Sequence, residues 1–147
     1  MTSSNLENLA KIGKLKKERV SQTEFEGLVK SGCARLADTH TTSLSMESRF
    51  DLAYNASHAL ALAALRWHGF RSENRYLVFQ CLQETLGLGP EHWRVLALCH
   101  ERRNVAEYQG HLEVEEILIS DLIRITEMLS EKVSALGKVR CKGAGFD

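Results

Sequence analysis

The sequence contains a single proline, Pro90, among its 147 residues. Proline interrupts helices because it has no amide proton and its ring clashes with the preceding turn, so its scarcity leaves little to break them. No segment shows the apolar–polar alternation and tight turns that predict β-hairpins. The length fits one domain, and we expect an all-α fold.

An excess of charge of either sign is also absent, since Lys+Arg and Asp+Glu both number 19. Phosphate contacts supply most non-specific affinity for nucleic acid, so the zero balance argues against a dedicated nucleic-acid coat protein. It leaves room for a local basic patch. Lys11, Lys14, Lys16 and Lys17 are one such group, but a solvated helix face is the simpler interpretation.

The four cysteines, Cys33, Cys81, Cys99 and Cys141, form no C-x-x-C pair. Zinc sites usually need such spacing, so we expect no metal site and no cofactor. The N-terminal residues lack the apolar core of a signal peptide, and the longest apolar run, near residues 59–65, is too short to span a bilayer. Reduced thiols in a cytoplasmic protein without membrane contact are therefore expected.

Apolar residues recur at helical spacing in most of the chain, and this predicts an up-and-down bundle of five or six helices. The predicted helices cover about 5–17, 21–36, 45–69, 76–86, 90–110 and 112–136. We divide the chain into an N-terminal helical arm at 1–20, the bundle at 21–136 and a flexible tail at 137–147.

Residues that favour helix ends support these boundaries. Ser21 and Glu24 form a capping box, Ser45 precedes the third helix, and Pro90 suits the first turn of the fifth. Gly110 would end that helix, and the last helix would begin near residues 112–113.

Two polar residues, Asn55 and His58, lie within the alanine-rich third helix. A buried, hydrogen-bonded side chain is the more frequent role for such residues, and we favour it over a ligand-binding role.

The most informative polar stretch is HERRNVAEYQGH, residues 100–111. On a helix, Trp93, Leu96 and His100 continue into Asn104 and Tyr108 at spacings of three and four, with Arg103 at the border. An apolar stripe that becomes polar along its length suggests a cleft or an interface. Arginine suits phosphate, asparagine suits a sugar hydroxyl and tyrosine can stack on a base.

A purely structural interpretation competes with this one. Arg103 would pair with Glu107 at i,i+4, and Tyr108 would bond to the end of a neighbouring helix.

Residues 45–135 resemble the HEPN family of small helical domains. FDLAYNASHALALAALRWHGFRSENRYLVFQCLQETLGL is similar to the family's long small-residue helix, glycine-containing turn and following helix. RRNVAEYQG is similar to its R-x4-6-H segment. The resemblance implies a helical bundle that dimerises and brings two such helices together at a cleft. Many members are metal-independent RNases, often toxins, and others are non-catalytic partners of a minimal nucleotidyltransferase.

The sequence departs from the nuclease pattern at the histidine. Four to six intervening residues after Arg103 lead to Tyr108, Gln109 and Gly110, or to His111 one step further, and His100 precedes both arginines. Histidine suits proton transfer near neutral pH, whereas tyrosine, with a pKa near 10, is a poor base. Arg103 and Asn104 match the motif.

Three functions remain open. The first is a non-catalytic HEPN-like homodimer that binds a nucleotide, RNA or a partner protein through Arg103, Asn104 and Tyr108, in a toxin–antitoxin or nucleotidyltransferase-associated setting. The second is an RNase toxin that uses Arg103 with Tyr108 or His111. The third is a structural helical adaptor.

Overall fold

The computed structural model describes residues 2–41 and 43–139. Its elements are α1 (Thr2–Lys11), β1 (Lys16–Lys17), α2 (Gln22–Asp38), α3 (Met46–Trp67), β2 (Phe70–Arg71), α4 (Arg75–Gln80), α5 (Leu82–Thr85), α6 (Pro90–Gln109) and α7 (Glu116–Ser134). The short helices α4 and α5 meet at Cys81, which keeps a helical conformation, so they act as one bent helix. The predicted all-α helical bundle is confirmed.

Helix α3 lies at the centre because small side chains cover much of its surface. Ala53, Ala56, Ala63 and Ala64 are fully buried on it. Short side chains let neighbouring helices approach closely, and α3 packs against α2, α4, α6 and α7.

One close approach joins α2 and α3 at Gly32. A Cβ atom added to Gly32 would lie 2.7 Å from Leu60 Cγ and 3.3 Å from the Ala56 carbonyl oxygen. The helix–helix distance at this point therefore depends on the absence of a side chain.

Several predicted helix ends are confirmed. The Ser21 hydroxyl oxygen accepts the Glu24 amide at 3.0 Å, and the Ser45 oxygen accepts the Ser48 amide at 3.1 Å. Pro90 is the first residue of α6, and Gly110 ends it in the left-handed region at φ 81°.

Other predicted boundaries are wrong. The first helix was expected to reach about Lys17 but ends at Lys11, because Gly13 turns the chain at φ 81°. The last helix was expected near residues 112–113 but begins at Glu116, since Glu115 has an extended backbone with ψ 156°.

The sequence predicted no strands, but the structure contains one short antiparallel pair of two residues each. In this pair Lys16 faces Arg71, and Lys17 faces Phe70. Beside it, Leu6 and Leu15 from the predicted N-terminal arm are buried in the main core. At the other end of the chain, the Val139 amide donates to Gln22 Oε1 at 2.7 Å. Residues 140–147 of the predicted tail, including Cys141, lie outside the described residues.

A buried arginine fixes the strand pair to α3. Arg66 is 0% exposed, and its guanidinium donates to the Glu18 and Arg19 carbonyls, both at 2.7 Å, and to Glu24 Oε2 at 2.8 Å. Arg71 also donates to Glu24 Oε2, at 2.9 Å.

The Glu24 carboxylate also completes the predicted capping box, since a hydrogen bond from the Ser21 backbone amide is one of the causes that lower its pKa. Hydrogen bonds to guanidinium groups are stronger than one bond to a neutral amide, and the hydrogen bond from Arg66 is the main reason that the pKa of Glu24 is lowered.

Candidate functional site

Helix α6 carries the polar stretch and fixes its orientation through its apolar first half. Trp93, Leu96 and Cys99 are buried against the bundle, and the residues that follow at helical spacing emerge at the surface. His100 and Arg103 are half-buried, whereas Asn104 and Tyr108 are exposed.

Arg103 faces α3. Its guanidinium carbon lies 5.3 Å from the centre of the buried Tyr54 ring, within the range of a cation–π contact. Its Nε is 4.0 Å from Asp51 Oδ1, and its Nη1 is 3.9 Å from Glu107 Oε2. The i,i+4 contact with Glu107 that the structural interpretation predicts is therefore present, at the outer limit of ion-pair distance.

Asn104 and Tyr54 are joined through His100. Asn104 Nδ2 lies 3.3 Å from His100 Nε2, and the Tyr54 hydroxyl lies 2.8 Å from His100 Nδ1. With the amide in this orientation, Asn104 donates to Nε2, and Nδ1–H donates to the Tyr54 oxygen. Both ring nitrogens of a neutral imidazole are then engaged.

Arg75, from the first turn of α4, approaches the same tyrosine. Its guanidinium carbon is 5.5 Å from the centre of the Tyr54 ring, and Nη1 is 3.5 Å from Asn55 Oδ1. Across residues 2–41 and 43–139, no carboxylate lies within ion-pair distance of Arg75. We call Tyr54, Arg75, His100, Arg103 and Asn104 the arginine–histidine cluster.

Burial and the two guanidinium groups of the cluster act together on the pKa of its histidine. Burial lowers the pKa of His100, and the Arg75 and Arg103 charges lower it further. Burial, Arg75 and His100 likewise lower the pKa of His58 to about 4. Both imidazoles are therefore neutral at pH 7, and the positive charge belongs to the two guanidinium groups.

His58 and Asn55 fit the structural role expected of them only in part. Asn55 Nδ2 donates to the Asp51 carbonyl at 2.9 Å, as expected for a satisfied polar residue. His58 is partly buried and packs edge-on against the Phe79 ring at 6.0 Å.

A groove of about 470 Å³ runs along the outer side of α6. Tyr76, Leu98, His100, Asn104, Val105 and Tyr108 are among the residues that border it. We call it the α6 groove. Its volume lies in the range of small-ligand sites, and His100 and Asn104 belong to both the groove and the cluster.

The three predicted site residues therefore do not share one pocket. Asn104 and Tyr108 border the α6 groove, whereas Arg103 lies over the Tyr54 ring and is linked to Asn104 through Tyr54 and His100. Tyr108 is 91% exposed, which differs from the bond to a neighbouring helix end in the structural interpretation. His111, the other candidate base, is exposed and lies 3.9 Å from Glu113.

Sequence reasoning missed three members of the cluster, Tyr54, Arg75 and His100. The signal for His100 was available, because it precedes Asn104 by four residues on the same stripe. Tyr54 was hidden in an apolar helix. No local pattern links Arg75 to Arg103, since the fold alone brings α4 and α6 together.

The comparisons with family models, curated proteins and solved structures find no match for this chain. Of the described helices, none combines the length and the apolar character needed to cross a bilayer.

Proposed function

We propose that the chain is a HEPN-like homodimeric binding module that holds a phosphate-bearing ligand, a nucleotide or RNA, at the arginine–histidine cluster. One observation carries the proposal. Arg75 and Arg103 approach a single buried tyrosine from two different helices, at 5.5 and 5.3 Å. Such an arrangement concentrates two positive charges in a protein whose net charge is zero.

Guanidinium groups suit this ligand because they offer paired, charge-assisted hydrogen bonds to phosphate oxygens. Within the cluster, Asn104 adds an exposed amide that can reach a sugar hydroxyl or a second phosphate oxygen. Asp51 and Glu107 meet only Arg103, at 4.0 and 3.9 Å, so a phosphate would compete with weak ion pairs at that residue and with none at Arg75.

Binding is favoured over catalysis by the state of His100. A general base needs a nitrogen lone pair directed at the substrate, but both ring nitrogens of His100 contact groups of the same chain. The lowered pKa of His100 keeps the ring neutral, so it contributes hydrogen bonds and not charge. RNase chemistry would require Asn104 to release Nε2.

The experiment measures binding of inorganic phosphate, a mononucleotide and a single-stranded RNA oligomer to the full chain. Arg75→Gln and Arg103→Gln should each weaken binding by about tenfold, since a hydrogen bond to a charged group contributes about 1.5–3 kcal/mol. Arg124→Gln, at an exposed position of α7, is the matched control. Tighter binding of RNA than of the mononucleotide would identify the polymer as the ligand.

Three results would overturn the proposal. If both cluster variants bind with wild-type affinity, the cluster is not the binding site. RNA cleavage that disappears in Arg103→Gln would establish the RNase. If none of the three probes binds and the variants change only in thermal stability, the result favours a structural helical adaptor.

A further inference from the structure

A second groove lies between α1 and the bent helix formed by α4 and α5. It shares no residue with the arginine–histidine cluster or with the α6 groove. Its volume of about 330 Å³ is at the lower end of the range of small-ligand sites. Four of the nine residues that line it carry carboxamides, and we therefore call it the amide groove: Asn5, Asn8, Gln80 and Gln83.

The amide groove contains one formal charge. Glu84, which is half-buried, is the only acidic or basic residue that lines it. Across residues 2–41 and 43–139, no cation lies within ion-pair distance of Glu84. Cys81 lines the groove as an uncharged thiol, because burial and the Glu84 charge raise its pKa to about 12. The groove is therefore negatively charged, and its carboxylate is unpaired within the described chain.

Most of the carboxamides beside Glu84 are available to a ligand. Gln83 Oε1 accepts the Trp93 indole N–H at 3.2 Å, and this bond ties the side chain to α6. Within the part of the chain that the structure describes, the side chains of Asn5, Asn8 and Gln80 make no hydrogen bond. Each carboxamide oxygen accepts hydrogen bonds without adding charge, so the groove combines one carboxylate with several neutral acceptors.

This combination excludes two classes of ligand. Phosphates and carboxylates need a cationic partner, and no Lys, Arg or His lines the amide groove. Calcium usually takes ligands from several carboxylates, whereas the groove has one. Among the described residues, no group of three or more His, Cys, Asp or Glu side chains could hold a metal ion.

A primary ammonium group fits what remains. It carries a single positive charge and three N–H donors, and it has no acceptor. The groove also offers apolar contacts to a carbon chain attached to this group, through Leu9 and Ile12 on α1 and Leu77 on α4. Ile12 is 68% exposed, so a bound chain would cover apolar surface that the described chain leaves open to water.

We propose that the amide groove binds a primary ammonium group on a short apolar chain. The ammonium group donates to the Glu84 carboxylate and to carboxamide oxygens, and the carbon chain lies against Leu9, Ile12 and Leu77. A free alkylamine and the lysine side chain of a peptide both supply this chemistry. The inference goes beyond the proposed function, because neither the arginine–histidine cluster nor a phosphate takes part in it.

Nitrogen–proton correlation NMR of the full chain tests the site, because this spectrum contains the side-chain NH₂ signals of Asn and Gln. Titration with pentylammonium chloride at pH 7 and low ionic strength should shift the signals of the four groove carboxamides along one saturable curve. Pentanol, which has the same chain without the charge, should bind at least about tenfold more weakly, since hydrogen bonds between charged groups are the stronger ones.

Two variants separate the charge from the apolar wall. Glu84→Gln should weaken pentylammonium binding at least about tenfold, because a half-buried ion pair is screened less by water and salt than an exposed one. Glu131→Gln, at an exposed position of α7, is the matched control and should bind as the wild type does. Ile12→Ser should weaken the binding of pentylammonium but not that of methylammonium, which has no chain to place there.

The source of the ammonium group is decided by a second titration, with Nα-acetyl-lysine methylamide. Binding at least as tight as that of pentylammonium identifies a lysine side chain of a peptide, and weaker binding identifies a free amine.

Contrary results overturn the proposal without affecting phosphate binding, which has its own variants. If neither amine gives a saturable shift at the groove carboxamides at high millimolar concentration, the groove is not an amine site. If pentanol binds as tightly as pentylammonium, or if Glu84→Gln keeps the wild-type affinity, the carboxylate does not recognise the ligand. Circular dichroism of each variant confirms that the fold is retained.

Discussion

The Tyr54 hydroxyl lies 2.8 Å from Nδ1 of His100, so a residue buried in the central helix is joined to the polar half of α6. The two rings are also nearly parallel, with centres 6.2 Å apart and planes at 13°. This contact determines the orientation of the imidazole and, through its other nitrogen, that of Asn104. The geometry of the surface cluster is thus set from inside the bundle.

Tyr54→Phe should destabilise the chain by about 1 kcal/mol. The ring and its packing remain, but His100 Nδ1 loses its partner in a partly buried position, which is the usual cost of one missing hydrogen bond. Urea denaturation followed by circular dichroism measures the change. Tyr76→Phe, which removes an exposed hydroxyl, is the control and should leave the midpoint unchanged. Equal effects of the two substitutions would contradict a role for the contact.

Arg66→Met should destabilise the chain by about 3 kcal/mol, since it leaves the carbonyls of Glu18 and Arg19 without their buried donor and Glu24 with Arg71 as its remaining arginine partner. Arg71→Met removes a guanidinium from the same carboxylates at a half-exposed position and should cost about 1 kcal/mol or less. Guanidinium chloride would screen these charges, so urea is the denaturant of choice. The expectation fails if the loss at Arg71 matches that at Arg66.

Gly32→Ala should destabilise the chain by about 1–3 kcal/mol, the usual cost of overpacking. The added methyl group would meet Leu60 and the backbone at Ala56. Gly27→Ala is the matched substitution on the same helix, where a Cβ meets nothing within 4 Å. There the higher helix propensity of alanine should stabilise by up to about 1 kcal/mol. Thermal melts of the two variants should therefore shift in opposite directions, and shifts of the same sign would contradict the packing described at Gly32.

Acidification should destabilise the chain through His58. Its pKa is about 4 in the folded state, against an ordinary value of 6.5, so the unfolded chain takes up the proton first as the pH falls. The stability contributed by neutral His58 is constant above pH 6.5 and is lost progressively as the pH falls towards 4. The total loss is at most about 3 kcal/mol. His100 acts in the same direction within this window.

His58→Gln isolates the effect, because glutamine does not titrate. The slope of the unfolding free energy between pH 6.5 and 4 should become shallower in this variant, while the part due to His100 remains. Glu24 contributes separately. Because its pKa is lowered in the folded chain, it adds stability above pH 4.5, and this stability is lost at more acidic pH. A variant with an unchanged slope would show that His58 is not the titrating group.

Helix ends were predicted correctly where the residues next to them in the sequence determine the cap. Ser21, Ser45, Pro90 and Gly110 mark helix ends by their own chemistry, and each lies where the sequence places it. The end of α1 at Lys11 was missed because apolar residues three apart, Leu6, Leu9, Ile12 and Leu15, continue through the turn at Gly13. A periodic apolar pattern does not by itself show where a helix stops.

The site was predictable only on one helix. The predicted site residues, Arg103, Asn104 and Tyr108, are close in the sequence. Because a helix turns by about 100° per residue, Arg103 points away from the groove that Tyr108 borders. Arg75 enters the cluster from a different helix, and the sequence contains no signal for that meeting.

The amino-acid sequence by itself determined the helices, most of their caps and the balance of charge, because these follow from residues within a few positions of one another. Tertiary structure alone decided that Arg66 is buried with two carboxylates nearby, that Arg75 and Arg103 approach Tyr54, and that Asn104 and Tyr108 border the α6 groove. These relationships join residues far apart in the chain, and their distances are set by how the helices pack around the small side chains of α3.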